Sequence, residues 1–109
     1  MDLQAAVTVG EDTTVIRLIG ELDMSTVGTL REAIQAHLPG SGGRLVINLA
    51  ELTFCDSLGL GTLLVLSRTA RAHNTLLVLS HPSPYFRRMV EIAGVGAALT
   101  IALDEADDQ

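Results

Sequence analysis

The sequence predicts a single α/β domain on a mixed sheet of four to five strands with interleaved helices, in the order ββαβαβαβ. Three observations carry this. The 109 residues, 48% of them hydrophobic, suffice for one core and fall short of two ordinary domains. Two apolar runs open the chain with a turn cluster between them. Beyond residue 25, segments of helical periodicity alternate with short aliphatic runs, as in strand–helix–strand units.

Residues 3–9 read as the first strand and 13–19, with Val15, Ile16, Leu18 and Ile19, as the second, joined as a hairpin across Gly10-Glu11-Asp12. After Gly20-Glu21-Leu22-Asp23 the period changes. Val27, Leu30, Ile34 and His37 with Leu38 recur at three- and four-residue spacing, on a helix entered through Ser25 or Thr26 and ended by Pro39-Gly40. Past the Ser41-Gly42-Gly43 loop, Leu45-Val46-Ile47-Asn48-Leu49 is the run expected of a central strand covered on both faces. Helical spacing returns from Ser57 to about Ala72 through Leu60, Leu63, Leu64, Ser67 and Ala70, with Arg68 and Arg71 toward the exposed end. Leu76–Leu79 is another buried strand. Ser83 then caps a third helix with Pro84 in its first position, Phe86, Met89, Val90 and Ala93 form its inner stripe, and Gly94 ends it. Residues 98–103 offer a last strand. The domain is expected to span 1–103, and 104–109 to be a solvated acidic tail.

Charge closes several function classes. Seven basic residues, all Arg, stand against 13 acidic ones for a net charge of −6. Asp104, Glu105, Asp107 and Asp108 in the tail account for four of those six, so the body is mildly acidic. A nucleic-acid binder needs a basic face, and aromatic residues for base stacking are limited to Phe54, Tyr85 and Phe86. No direct nucleic-acid partner is expected. Without Lys there is no Walker A lysine and no Schiff base. The charge-free stretch Ser57–Ser67 is far shorter than a spanning helix, so no membrane insertion is expected. The lone Cys55 forms no internal disulfide, and no basic residue precedes Arg17, which argues against a secretory signal and for the cytoplasm.

Catalytic equipment is equally thin. No spacing ties Cys55 to His37, His73 or His81, the three His are too dispersed for a metal centre, and Leu64 stands where a dinucleotide fingerprint begun at Gly59-x-Gly61 needs its third Gly. The chain is read as no enzyme, with no cofactor and no metal.

The stretch from Ala50 to Gly61 is the segment of interest, because α/β proteins place ligands where a strand turns into a helix. Asp56 or Ser57 stands at the helix N-cap, and one account is that it only satisfies the orphan amides of the first turn. The other is that Ser57 is a phosphorylation site. A phosphate there meets free N–H groups and the positive end of the helix dipole. Gly59 and Gly61 cost about 1 kcal/mol each inside a helix. Their presence suggests either close approach by a partner or a tight packing contact.

Gly20-Glu21-Leu22-Asp23, then Asn48-Leu49, then Phe54-Cys55-Asp56-Ser57-Leu58-Gly59-Leu60-Gly61, and finally Ser83-Pro84 leading into Arg88-Met89-Val90 and Ala93-Gly94 together resemble the STAS domain family. Among its members the chain looks most like the stand-alone bacterial anti-sigma factor antagonists. The resemblance covers nearly the whole chain. It implies that Ser57 is phosphorylated by an anti-sigma factor with serine kinase activity and that a serine phosphatase resets it. It also implies that the unphosphorylated form binds that partner and frees a sigma factor. Asp23, Asp56, Ser57, Leu58 and Gly59 are the expected partner-binding residues, with Leu58 departing from the small residue common after the serine. The alternative within the family is an interaction subunit of a membrane lipid transporter or of a sensory scaffold complex.

Overall fold

The computed structural model describes residues 2–38 and 42–102. The opening hairpin forms as expected: β1 (Leu3–Val9) pairs antiparallel with β2 (Thr13–Leu22), from Leu3 opposite Gly20 to Val9 opposite Thr14. Every later pairing is parallel. β3 (Arg44–Cys55), β4 (Leu76–Ser80) and β5 (Thr100–Ile101) follow in spatial order, giving a five-stranded mixed sheet β1-β2-β3-β4-β5. Between them lie α1 (Val27–Ala36), α2 (Ser57–Ala72) and α3 (Pro84–Ala93), so the order ββαβαβαβ holds. The third helix starts and stops as its sequence dictates. Ser83 Oγ accepts the Phe86 amide at 3.0 Å, Pro84 occupies the first turn, and Gly94 takes the left-handed conformation at φ 71°.

The core lies on one face of the sheet. Ile16 and Leu18 of β2, Leu45, Ile47 and Leu49 of β3, and Leu77 and Leu79 of β4 alternate with the strand period. They join Leu30 and Ile34 of α1, Leu60, Leu63, Leu66 and Ala70 of α2, and Phe86 and Val90 of α3 in one aliphatic cluster. At its centre β3 is buried on both faces, as its run of aliphatic residues predicts: Val46, on the face opposite Leu45 and Ile47, is fully buried, and Val78 paired with it in β4 is buried too, both outside that cluster, while the flanking Arg17 and Arg44 are exposed. The inner stripe of α3 is narrower than its sequence suggests, because Ala93 is exposed.

The largest departure is the length of β2 and β3. The segment after Leu49, expected to be a turn, continues as strand to Cys55, and β2 continues past Ile19 to Leu22. β3 has already passed its last partner in β4 at Asn48, opposite Ser80, so the extension is a ribbon in which β3 pairs with β2 alone and has its other edge open, while β1 flanks β2 as far as Gly20. Residues 50–54 are exposed or half-buried in consequence. Two register shifts interrupt the β2–β3 pairing, between Arg17 and Ile19 and between Gly20 and Glu21, each giving β3 one extra residue. Asn48 Oδ1 accepts the Ala50 amide at 2.9 Å beside the first, and Thr53 Oγ1 donates to the Gly20 carbonyl at 3.0 Å beside the second. Gly20 itself is required, since at φ 120° any Cβ would strike the Asp2 carbonyl, whose oxygen accepts the Glu21 amide. The last strand is shorter than expected: Gly96–Ala98 form a single 3-10 turn before β5. Pro39-Gly40, Leu103 and the acidic tail lie outside the described residues.

Candidate functional site

The ribbon ends with Leu22 opposite Cys55, which sets two turns side by side. After Leu22 the chain folds over the Asp23 carboxylate. Its Oδ1 accepts the Ser25 amide at 2.9 Å and the Ser25 hydroxyl at 2.8 Å, while Thr26 Oγ1 accepts the Asp23 amide at 2.9 Å and donates to the Glu21 carbonyl at 2.8 Å. Thr26 is the residue before α1, which settles the choice between Ser25 and Thr26; it caps through this local network and not through a bond into the first turn. The hydrogen bonds, that from the Ser25 hydroxyl first, hold the Asp23 carboxyl below the usual range. This bonding is therefore intact at neutral pH. It weakens only as the pH falls through that lowered value.

After Cys55 a single residue, Asp56, makes the connection to α2, and it is the N-cap. Its Oδ1 accepts the Gly59 amide at 2.7 Å, its own amide donates to the Leu22 carbonyl at 3.1 Å, and its Oδ2 accepts the Met24 amide at 3.3 Å. One side chain thus starts the helix and ties it to the neighbouring turn. Asp56→Ala is expected to destabilise the fold by about 1 kcal/mol, whereas Asp56→Asn retains most of that stability because Asn caps equally well. Urea unfolding of the two variants checks this. A neutral Asp56→Ala would show that the cap does not anchor α2.

With Asp56 as the cap, Ser57 is the first helical residue. It is exposed, and its hydroxyl has no hydrogen-bond partner among the described residues. The amides of Ser57 and Leu58 precede the first intrahelical bond, so donors and the positive dipole end converge beside this hydroxyl. The glycines separate in function. A Cβ on Gly59 would lie 2.8 Å from Leu22 Cγ and 3.0 Å from the Leu22 carbonyl oxygen, so Gly59 is a packing requirement of the site's own floor. Nothing stands within 4 Å of a Cβ on Gly61. Leu58, 47% exposed, turns toward a groove between α1 and α2 lined also by Arg31, Gln35, Gly61 and Val65.

Ser57 separates two surfaces. On one side Asp23, Met24, Ser25, Phe54 and Asp56 line a shallow depression of about 460 Å³, with Met24 73% exposed. On the other, Ser57 itself joins Leu60, Tyr85, Arg88, Met89, Ile92 and Ala93 around an apolar groove of about 350 Å³ between α2 and α3. The Tyr85 hydroxyl donates to the Cys55 carbonyl at 3.3 Å and braces α3 against the end of β3. Sequence reasoning named Asp23, Asp56 and Ser57 and missed this second wall. Its signal was present, since Tyr85, Arg88, Met89 and Ile92 repeat at helical spacing beside the buried Phe86 and Val90.

Cys55 is buried, and desolvation, with a smaller push from Asp56, drives its thiol up to about 12, leaving it neutral and unreactive at physiological pH. The described residues contain no group of three His, Cys, Asp or Glu side chains able to hold a metal, and no helix among them is long and apolar enough to cross a membrane.

A sheet that opens on an antiparallel pair and runs on in parallel, with an exposed serine heading the helix after β3, defines a small interaction domain of the STAS class. The family model described as Mlab, STAS domain matches residues 5–102, and the chain belongs to that family. It is 36% identical over 98 residues to an anti-sigma F factor antagonist of Lysinibacillus sphaericus, covering 89% of this chain and 84% of that one. A crystal structure of an anti-sigma factor antagonist from Mycobacterium paratuberculosis superposes with a TM-score of 0.83 at 24% identity, over 97% of this chain and 90% of that one, and shows the shared fold. The antagonist SpoIIAA matches in its unphosphorylated form (TM-score 0.71, 29% identity, 98% of this chain and 93% of that one). Its phosphorylated form, described as a Bacillus cell fate determinant, also matches (TM-score 0.66, 31% identity, 94% and 93%).

Proposed function

We propose that this chain is an anti-sigma factor antagonist working in the cytoplasm by partner switching. Unphosphorylated, it binds an anti-sigma factor that is also a serine kinase, and the sigma factor is released. The kinase transfers the γ-phosphoryl of ATP to Ser57: the Oγ–P bond forms, the bond to the β-phosphate oxygen breaks, ADP leaves, and the hydroxyl proton passes to a base or water on the kinase. A serine phosphatase hydrolyses the ester and restores the binding form.

The observation that carries this reading is the placement of Ser57, an exposed, unbonded hydroxyl at the first position of α2 in a chain 36% identical to a named antagonist. The helix terminus tolerates a phosphate. The partner surface does not, because the added charge of about −1.5 to −2 joins Asp23 and Asp56 on the same face. In this reading Asp23, Asp56, Ser57 and Leu58 contact the partner. Gly59 contributes by letting α2 settle onto Leu22 and Cys55, which fixes the height of Ser57 above the sheet.

Incubation with the kinase recovered from the same cells and ATP is expected to place one phosphate on Ser57 by mass spectrometry. Ser57→Asp should weaken binding to that kinase by about tenfold or more, on the order of 1.4 kcal/mol. A phosphate found elsewhere, or parental binding by Ser57→Asp, overturns the switch. Recovery of lipid-transporter subunits or a sensory scaffold in place of a kinase would assign the chain to the other STAS use.

A further inference from the structure

Ser57 shares its groove with a cation. Arg88 of α3 is exposed on the same groove wall as Tyr85 and Ile92, and the groove has no acidic lining residue. Its guanidinium has no carboxylate partner among the described residues, where the ion pair formed is Arg17 with Glu51, at 3.2 Å. Asp56, the residue before Ser57, lines a separate depression together with Asp23. A dianion on Ser57 Oγ is therefore repelled by these carboxylates and attracted by the unpaired guanidinium of its own groove, which directs it into the groove.

We propose that Arg88 is the chain's own receptor for phosphate on Ser57, and that the pair it forms closes the mouth of the α2–α3 groove. This rests on the reading of Ser57 as the modified residue. Arg is the side chain suited to it, because its planar fork meets two phosphate oxygens at once. The apolar walls, Leu60, Met89 and Ile92 among them, reduce the screening such a pair suffers in open water. Phosphorylation then changes shape as well as charge: the unmodified groove is open to a partner's side chain, and the modified one is bridged by its own ion pair.

The test needs no kinase. Phosphoserine is incorporated at position 57 by codon suppression, and the second ionisation of the phosphate is followed by phosphorus NMR. Arg88→Gln is expected to raise that pKa by about half a pH unit, the size of an exposed ion pair. Arg88→Lys should recover part of the shift. Arg87→Gln, which removes the same charge from the adjacent position of α3, should leave the value unchanged. The other charged groups facing Ser57, Asp23 and Asp56, stay constant throughout. In the phosphorylated parent the Arg88 side-chain Nε–H resonance should also move relative to the unphosphorylated protein. No shift with Arg88→Gln, or equal shifts with Arg87→Gln, overturns the pairing while leaving Ser57 as the modified residue. Absence of phosphate on Ser57 in the kinase assay overturns the reading on which the pairing rests.

Discussion

Leu22→Ala is expected to lower the unfolding free energy by about 3 kcal/mol, the middle of the range for a buried Leu truncated to Ala. Leu22 is fully buried at the last position of β2, in the same cluster as Leu60 and Leu63 of α2. Its side chain is the surface on which Gly59 rests, and its carbonyl accepts the Asp56 amide. Truncation leaves the carbonyl in place, so α2 still starts at Ser57, but it empties the space beneath the first turn. For a domain of this size the loss corresponds to a fall in Tm on the order of 15 °C. Urea unfolding with an unchanged slope is the measurement. A loss below about 1 kcal/mol would mean that the ribbon end collapses freely onto α2, and that the height of Ser57 is not fixed by packing.

The elements readable in the sequence are those whose signal is local. The hairpin, the cap and stop of α3, and the aliphatic run of β3 each depend on residues within a few positions, and all three form. Asp56 and Ser57 are both cap candidates by local pattern, and the choice between them needs geometry. Asp56 is fixed by the Leu22 carbonyl and the Met24 amide, 34 and 32 residues away in sequence, so no local pattern decides it. The extension of β3 to Cys55 carries a local signal that the expectation of a turn overlooks, since Ala50-Glu51-Leu52-Thr53-Phe54 alternates apolar and polar residues with the two-residue period of a strand. Each bulge inserts a residue and breaks the link between that alternation and burial, so Ala50 and Phe54 are exposed and Leu52 is half-buried.

The site repeats that division. Asp56 and Ser57 stand out because hydroxyl and carboxylate residues at strand-to-helix turns have few purposes, whereas Asp23 is marked by the family resemblance. The α3 wall does not stand out, because nothing in residues 84–93 says that their second stripe faces Ser57. The Tyr85 bond to the Cys55 carbonyl and the shared lining of the groove supply that fact. In three dimensions Asp23 and Asp56 line one depression, and Ser57 lines another together with Arg88.

Gly59→Ala is expected to destabilise the protein by about 1 kcal/mol even though Ala is the better helix former. The propensity gain is about 1 kcal/mol. Against it stands a Cβ 2.8 Å from Leu22 Cγ, 3.0 Å from the Leu22 oxygen and 3.1 Å from Cys55 Sγ. Leu22 is held on all sides and its carbonyl is committed to Asp56, so α2 must lift, and overpacking of this kind costs about 1–3 kcal/mol. Gly61→Ala, with open space at its Cβ, should instead stabilise by about 0.5–1 kcal/mol. The two neighbouring glycines therefore respond with opposite sign. Combining Gly59→Ala with Leu22→Ala separates the causes, because the methyl then enters the space the leucine vacates. The double variant should lose about 1 kcal/mol less than the two single losses added together, with the carbonyl and thiol contacts preventing full relief. Strict additivity would show that the cost at Gly59 arises elsewhere than against Leu22, and that the strand end does not set the position of the serine.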